Sequence, residues 1–242
     1  MVRKRRLLAA ALPLALAACV IVPTRFEPTA FDDTKTYAVV TIASTEEIAQ
    51  GNKKFSEWLK GDNPARDSQR MLEEVKPIIL KALGRSGHFR LLPERDVIRS
   101  AAYRGMPPHE AHYMLTDWHV PAGYRFFIKD EEFAALARGL DVDGVIFVGV
   151  NFDVLLKGLS AFGHSYMSVG AFDRDGRTVW KDAVFAQSDR AIGHKGGTVI
   201  YEELRPLLLD ATDQAAGALL AKLDDKVRSG ESGGGLDTER LR

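Results

Sequence analysis

The chain has 242 residues, with 33 basic and 33 acidic side chains, and its 45% hydrophobic and 27% charged content are those of a soluble globular protein. Beyond residues 1–18 no element carries a basic excess, which argues against nucleic acid as a partner. A single cysteine rules out an internal disulfide framework.

At the start, Arg3, Lys4, Arg5 and Arg6 precede an apolar run from Leu7 to Ala18, which closes in Leu16-Ala17-Ala18-Cys19. A charged segment, a short apolar segment and small residues at a cleavage point predict a signal peptide over residues 1–18. The run is too short to span a bilayer, which needs about 20 apolar residues. Leu16 to Cys19 resembles the lipobox of bacterial lipoproteins. That resemblance implies that Cys19 becomes the acylated, palmitate-bearing first residue of the mature chain. Val20 in place of an aspartate implies, on the same grounds, sorting to the outer membrane. Several acyl chains on one residue satisfy the two-signal requirement for stable anchoring. Without the leader the chain is mildly acidic, 29 basic against 33 acidic side chains. Acylation of Cys19 leaves no thiol, so cysteine nucleophiles and thiolate metal sites are excluded.

Residues 19–35, with Pro23 and Pro28 and little periodicity, read as a lipidated tether. The β-branched run Thr36 to Ile42 predicts a buried strand and the start of the domain. Glu46 to Asn63 is polar and mixed, a loop or short helix around Phe55, Trp58 and Leu59. Apolar residues at three- and four-residue steps, from Met71 through Val75 and Ile79 to Leu83, predict a helix over 66–86. Pro77 predicts a kink or break in it near Lys76, and Gly84 or Gly87 a stop. Phe89 to Leu92 reads as a strand, and Pro93 opens a short helix to about Tyr103. Gly105 to Ile128 has three prolines, three histidines and no clean period, and reads as an insertion. Asp130 to Gly139 is an amphipathic helix leading into the strand Gly144 to Val150. His164 to Phe172 and Arg177 to Ala186 form a hairpin around the turn Asp173-Arg174-Asp175-Gly176. Val199 to Val227 carries Leu204, Leu207, Leu208, Ala211, Ala215, Leu219 and Leu223 on one helical face. The glycine- and serine-rich residues 228–242 read as a disordered tail.

This order predicts an α/β fold: a single layered domain over 36–227, with a mixed sheet, a C-terminal antiparallel hairpin and a long terminal helix. Three features together resemble the group of periplasmic lipoprotein domains related to the curli secretion channel protein and the penicillin-binding-protein activator lipoproteins. They are the strand Tyr37 to Ile42, the unit Ala134 to Val150, and the hairpin at Asp173 to Gly176 followed by a long helix. The resemblance implies an accessory or assembly role on the periplasmic side of an envelope membrane. The insertion Gly105 to Ile128 departs from that pattern, and no functional residue carries over.

Chemical motifs are few. His109 and His112, with His119 nearby, form the best metal-like cluster, because imidazoles three residues apart share a helical face. The prolines before them and the lack of a third ligand at fixed spacing favour surface or packing histidines in a partner-contact loop. Gly193 to Thr198 places its lysine before its glycine pair and fails the phosphate-loop pattern. Asp173 to Gly176 resembles a calcium loop without the distal acid, so a hairpin turn explains it. Asp141 and Asp143 read as helix-ending residues before the central strand rather than as a catalytic pair. No serine lies in a Gly-x-Ser-x-Gly setting. The apolar stretch Val154 to Gly163 is either a patch for ring formation or lipid contact, or a continuation of the core strands into a long hairpin.

The expectation is a lipid-anchored outer-membrane lipoprotein facing the periplasm. It is not an enzyme, needs no cofactor, and binds an envelope protein partner. An oligomeric secretion channel component is the alternative, and a metal-dependent periplasmic hydrolase using the histidines a further one.

Overall fold

Two β-branched runs, Lys35–Thr45 and Gly144–Lys157, lie parallel and side by side in a mixed sheet. The computed structural model describes residues 24–31, 33–45, 48–50, 68–107, 109, 112–113, 116–193, 201–230 and 233–235. Its elements in chain order are β1 (Thr24–Phe26), a 3-10 turn (Pro28–Ala30), β2 (Lys35–Thr45), β3 (Ala49–Gln50), α1 (Ser68–Gly84) and β4 (Phe89–Leu91). There follow α2 (Glu94–Arg99), α3 (Ala101–Gly105), β5 (His112–Tyr113), β6 (Thr116–His119), α4 (Asp130–Gly139) and β7 (Gly144–Lys157). The last are β8 (Ser160–Asp173), β9 (Thr178–Gly193), α5 (Tyr201–Ser229) and β10 (Gly233–Gly235). The sheet runs β10-β1-β9-β8-β7-β2-β6-β5, with β3 joined to β7 and β4 to β2. Around β2 the pairing to β4 and β7 is parallel, while β7, β8, β9 and β1 follow one another antiparallel. The mixed α/β architecture with its antiparallel hairpin and long terminal helix is as the sequence predicted.

The sheet is buried on both faces at its centre. α1 and α5 cover one face, where Ile146, Val148, Met167, Leu208 and Leu219 belong to the larger core. The helix α4, with Val97 of α2 and Tyr103 of α3, forms the smaller core on the other face around Val145, Phe127 and Leu136. β2 changes sides partway. Tyr37 and Val39 face the larger core and Ala38 and Val40 the smaller one, but the register then skips a residue between Val39 and Thr41. This bulge returns Ile42 to the larger core and points Thr41 the other way, beside Val40.

The bulge explains how the irregular segment after Gly105 is held. Thr41 Oγ1 donates to the Arg125 carbonyl at 3.0 Å and accepts from the Phe127 amide at 3.2 Å. The Tyr103 hydroxyl donates to the Val40 carbonyl at 2.8 Å and accepts from the Arg125 amide at 2.8 Å. Burial raises the Tyr103 pKa, so it stays a neutral bridge. Residues 124–127 are therefore part of the packed core rather than a loose loop.

Four local expectations change. Of the kink or break expected at Pro77 the break does not occur: α1 runs through it, since Val75, Ile79 and Leu83 keep their stripe buried on either side of the one backbone hydrogen bond that proline removes. The single helix expected after Pro93 is two, because Ser100 adopts an extended conformation and its side chain caps α3 by accepting from the Tyr103 amide. Part of the stretch read as tether belongs to the fold: Phe26 and Phe31 stack at 5.5 Å and Phe31 continues onto Tyr37 at 6.5 Å. Part of the presumed tail does as well, since α5 reaches Ser229 and Gly233–Gly235 pairs with β1.

Candidate functional site

The motifs singled out in the sequence take structural places. Asp173 to Gly176 is a hairpin turn: Asp173 Oδ1 accepts from the Asp175 and Arg177 amides, and Arg177 Nε donates to Oδ2 at 2.8 Å. Gly176 has a φ of 82°, and a side chain there would collide with the Asp130 carbonyl. Asp141 also takes a positive φ, 53°, closing α4, and accepts from Arg174 at 2.8 Å. Asp143 Oδ2 accepts from the Thr36 amide at 2.8 Å, which ties the start of β7 to that of β2.

The histidines do not converge. His109 Nε2 lies 2.7 Å from Glu132 Oε1, out of line for a hydrogen bond, while Glu132 Oε2 caps α4 by accepting from the Ile128 and Lys129 amides. His119 Nδ1 lies 3.4 Å from the buried Ser68 hydroxyl at the start of α1, and that hydroxyl donates to the Thr45 carbonyl. For His112 only the backbone, paired with Asp117, is described. Among the described residues no group of three or more His, Cys, Asp and Glu side chains is placed to hold a metal ion. Cys19, residues 194–198 of the glycine-rich stretch and the aromatic segment 55–59 lie outside the described residues.

Val154 to Gly163 continues the core strands into a long hairpin with a two-residue tip, Gly158-Leu159. Gly158 takes a positive φ of 61°, and Leu159 is 80% exposed. Along β7, β8 and β9 the two faces alternate. Odd-numbered residues of β8, from Ala161 to Ala171, are buried on the side of α5. The outer face carries cross-strand rows: Leu155 beside Phe162, Asp153 beside His164 and Gln187, Asn151 beside Tyr166 and Phe185. His164 stacks on Phe185 at 5.6 Å and Tyr166 tilts against it at 4.6 Å, yet Phe185 remains 49% exposed. Lys157 lies 5.3 Å over the Phe162 ring and donates to Gln187 at 3.0 Å. Burial lowers the His164 pKa, Asp153 opposes that shift, and Lys157 adds to it. The sequence showed these residues only as strand residues; the signal available was their period of two, which places His164, Tyr166 and Phe185 on one face only once the register is known.

A second feature sits at the far end of the sheet, where β1, the starts of β2 and β9 and the end of β8 meet. It is a cleft of about 470 Å³ lined by Arg25, Lys35, Tyr37, Asp143, Arg177 and Thr178, among others. Tyr37, only 1% exposed, forms part of its floor. Gly144 lets that ring lie flat, because any side chain at this position would run into it. Nothing in the sequence marked this cleft, whose residues come from four separate strands.

No helix among the described residues is long and apolar enough to cross a membrane. No protein-family profile and no curated protein matches the chain. Comparison with solved structures gives distant likenesses. The hypothetical protein CT253 from Chlamydia trachomatis is 14% identical, with a TM-score of 0.37 over 81% of this chain and 97% of that one. Lipoprotein GNA1162 from Neisseria meningitidis is 11% identical, with a TM-score of 0.37 over 81% and 99%. The LpoB C-terminal domain from Salmonella enterica is 9% identical, with a TM-score of 0.31 over 67% and 87%. The architecture described above stands on its own contacts.

Proposed function

We propose that the protein is a cell-envelope lipoprotein, anchored through Cys19 to the periplasmic face of the outer membrane, that acts without catalysis by binding an envelope protein. The leader ending at Cys19 supports the address. The observation that carries the binding role is the aromatic row His164, Tyr166 and Phe185 on the outer sheet face, with Phe185 half exposed. Large aromatics with a polar surround suit the anchor positions of a protein interface. The same face weighs against the channel alternative. Asn151, Asp153 and Gln187 interrupt its apolar residues, whereas a membrane barrel presents a continuous apolar band to lipid. The separate engagement of His109 and His119 weighs against the hydrolase alternative.

A photo-crosslinking residue placed at position 185 of the full chain, in cells, tests the reading against the same residue at the exposed Glu203 of α5. The expected result is one envelope protein joined at near-stoichiometric yield from 185 and not from 203, with Cys19→Ser releasing the protein from the membrane fraction. Equal capture from both positions, or crosslinks only between copies of this chain, would overturn it.

A further inference from the structure

From the cleft at the β1 end of the sheet we infer a binding site for a neutral sugar unit with vicinal hydroxyl groups. The volume of about 470 Å³ lies within the range of small-ligand sites. What decides the ligand class is which polar groups are already engaged. Arg174 is paired with Asp141, and Arg177 with Asp173 and Asp175. Both oxygens of Asp173 are taken by the turn it organises. The Lys35 ammonium donates to the Thr29 carbonyl at 3.2 Å. Four basic and four acidic side chains line the cleft, so no excess of either charge is left for a phosphate or a metal ion.

The groups that remain are hydroxyls, the Arg25 guanidinium and the carboxylates of Asp143 and Glu27, the latter accepting, among the described residues, only from Thr29 Oγ1 at 3.1 Å. Tyr37 is buried to 1% exposure, yet its hydroxyl lies close enough to Asp143 and Asp173 to feel both carboxylates, and it has no hydrogen-bond partner among the described residues. Burial foremost, and then those two acids, raise its pKa, so it meets a ligand as a neutral group that both donates and accepts. The ring is enclosed, but the hydroxyl is not among the described polar atoms sealed from solvent without a partner, so it opens on the cleft and is free to meet a ligand there. Thr178, which also lines the cleft, likewise makes no side-chain hydrogen bond among the described residues. Asp143 has one oxygen on the Thr36 amide and the other available, and Arg25 makes no ion pair among the described residues. A carboxylate and a guanidinium each engage adjacent hydroxyls in pairs, and the two hydroxyl side chains complete a set of mixed donors and acceptors. An anion would leave Asp143 facing it unpaired, and a cation would leave Arg25 so.

The test is calorimetric titration of the full chain in a detergent without a sugar headgroup. The probes are chitobiose, maltose, inorganic phosphate and calcium chloride. At least one disaccharide is expected to bind at millimolar or better affinity and the two ions not at all. Tyr37→Phe removes only the hydroxyl and is expected to weaken that binding roughly five- to ten-fold. Thr178→Val is expected to weaken it to a similar extent, with thermal unfolding unchanged in both variants. Binding of phosphate or calcium in place of both sugars, no binding of either sugar, or wild-type sugar affinity in both variants would overturn the assignment.

Discussion

β7, β8 and β9 present one face to α5 and the other outward, and the same alternating chain serves opposite ends on the two sides. Toward α5 the residues are small or aliphatic and interlock: Ala161, Met167, Val169 and Val184 meet a helix stripe of Leu204, Leu208, Ala215 and Leu219. Outward the strands carry rings, amides and charges in mixed rows, with Phe185 half exposed. The comparison separates two kinds of constraint. Close packing makes the inner face sensitive to volume, whereas substitutions on the outer face are expected to leave stability little changed and, on the proposed reading, to act on recognition.

The sharpest way to break this distinction is Leu208→Ala on the inner face. Leu208 is fully buried, so the truncation is expected to cost about 2–5 kcal/mol in denaturant unfolding. A cost below 1 kcal/mol would mean that α5 does not hold the sheet as described. Next comes Asp182, whose side chain is 1% exposed on β9 and receives Lys226 at 2.7 Å and Lys222 at 3.3 Å from α5. Asp182→Ala is expected to cost about 1–3 kcal/mol. That is less than for a fully buried pair, because both lysines stay about a third exposed and can turn to water. Phe185→Ala, on the outer face, is expected to cost no more than about 1 kcal/mol while abolishing crosslinking from the neighbouring position 187. Loss of several kcal/mol there would place Phe185 in the core after all.

The smallest effect expected is one of pH. Burial holds the His164 pKa below its ordinary 6.5, so the unfolded chain binds a proton that the folded chain resists. Stability is therefore full above pH 6.5 and falls as the pH drops below it toward the lowered folded value. His164→Phe keeps a ring against Phe185 and is expected to flatten the decline in unfolding midpoint between pH 7 and pH 5.5. An unchanged decline in the variant would show that other groups govern it.

Much of the fold was legible because its signals are local. The stripe of α5 from Leu204 to Leu223, the bounds of α4 and the turn at Asp173 to Gly176 follow from period, capping and turn chemistry. Less was legible where structure depends on pairing at a distance. The change of side in β2 needs the skipped residue between Val39 and Thr41, which no period in the sequence shows. Phe26 and Phe31 looked like tether residues because what buries them, Tyr37 and the β9 edge, lies elsewhere in the chain. The candidate surfaces were the least legible of all, since neither the aromatic face nor the cleft comes from one contiguous run.

The pairing of β1 with β9 fixes where this molecule can reach. Four residues, Val20 to Pro23, lie between Cys19 and Thr24, so their α-carbons are at most about 18 Å apart. With acyl chains on Cys19, the end of the sheet that holds the cleft is confined to a shallow layer next to the lipid headgroups. β8 leads away from that end for 14 residues, roughly 45 Å at strand rise, up to the tip at Leu159. Under the anchoring proposed above, the fold would be a short-leashed mast, with the cleft held at the lipid surface and the hairpin tip carried away from it.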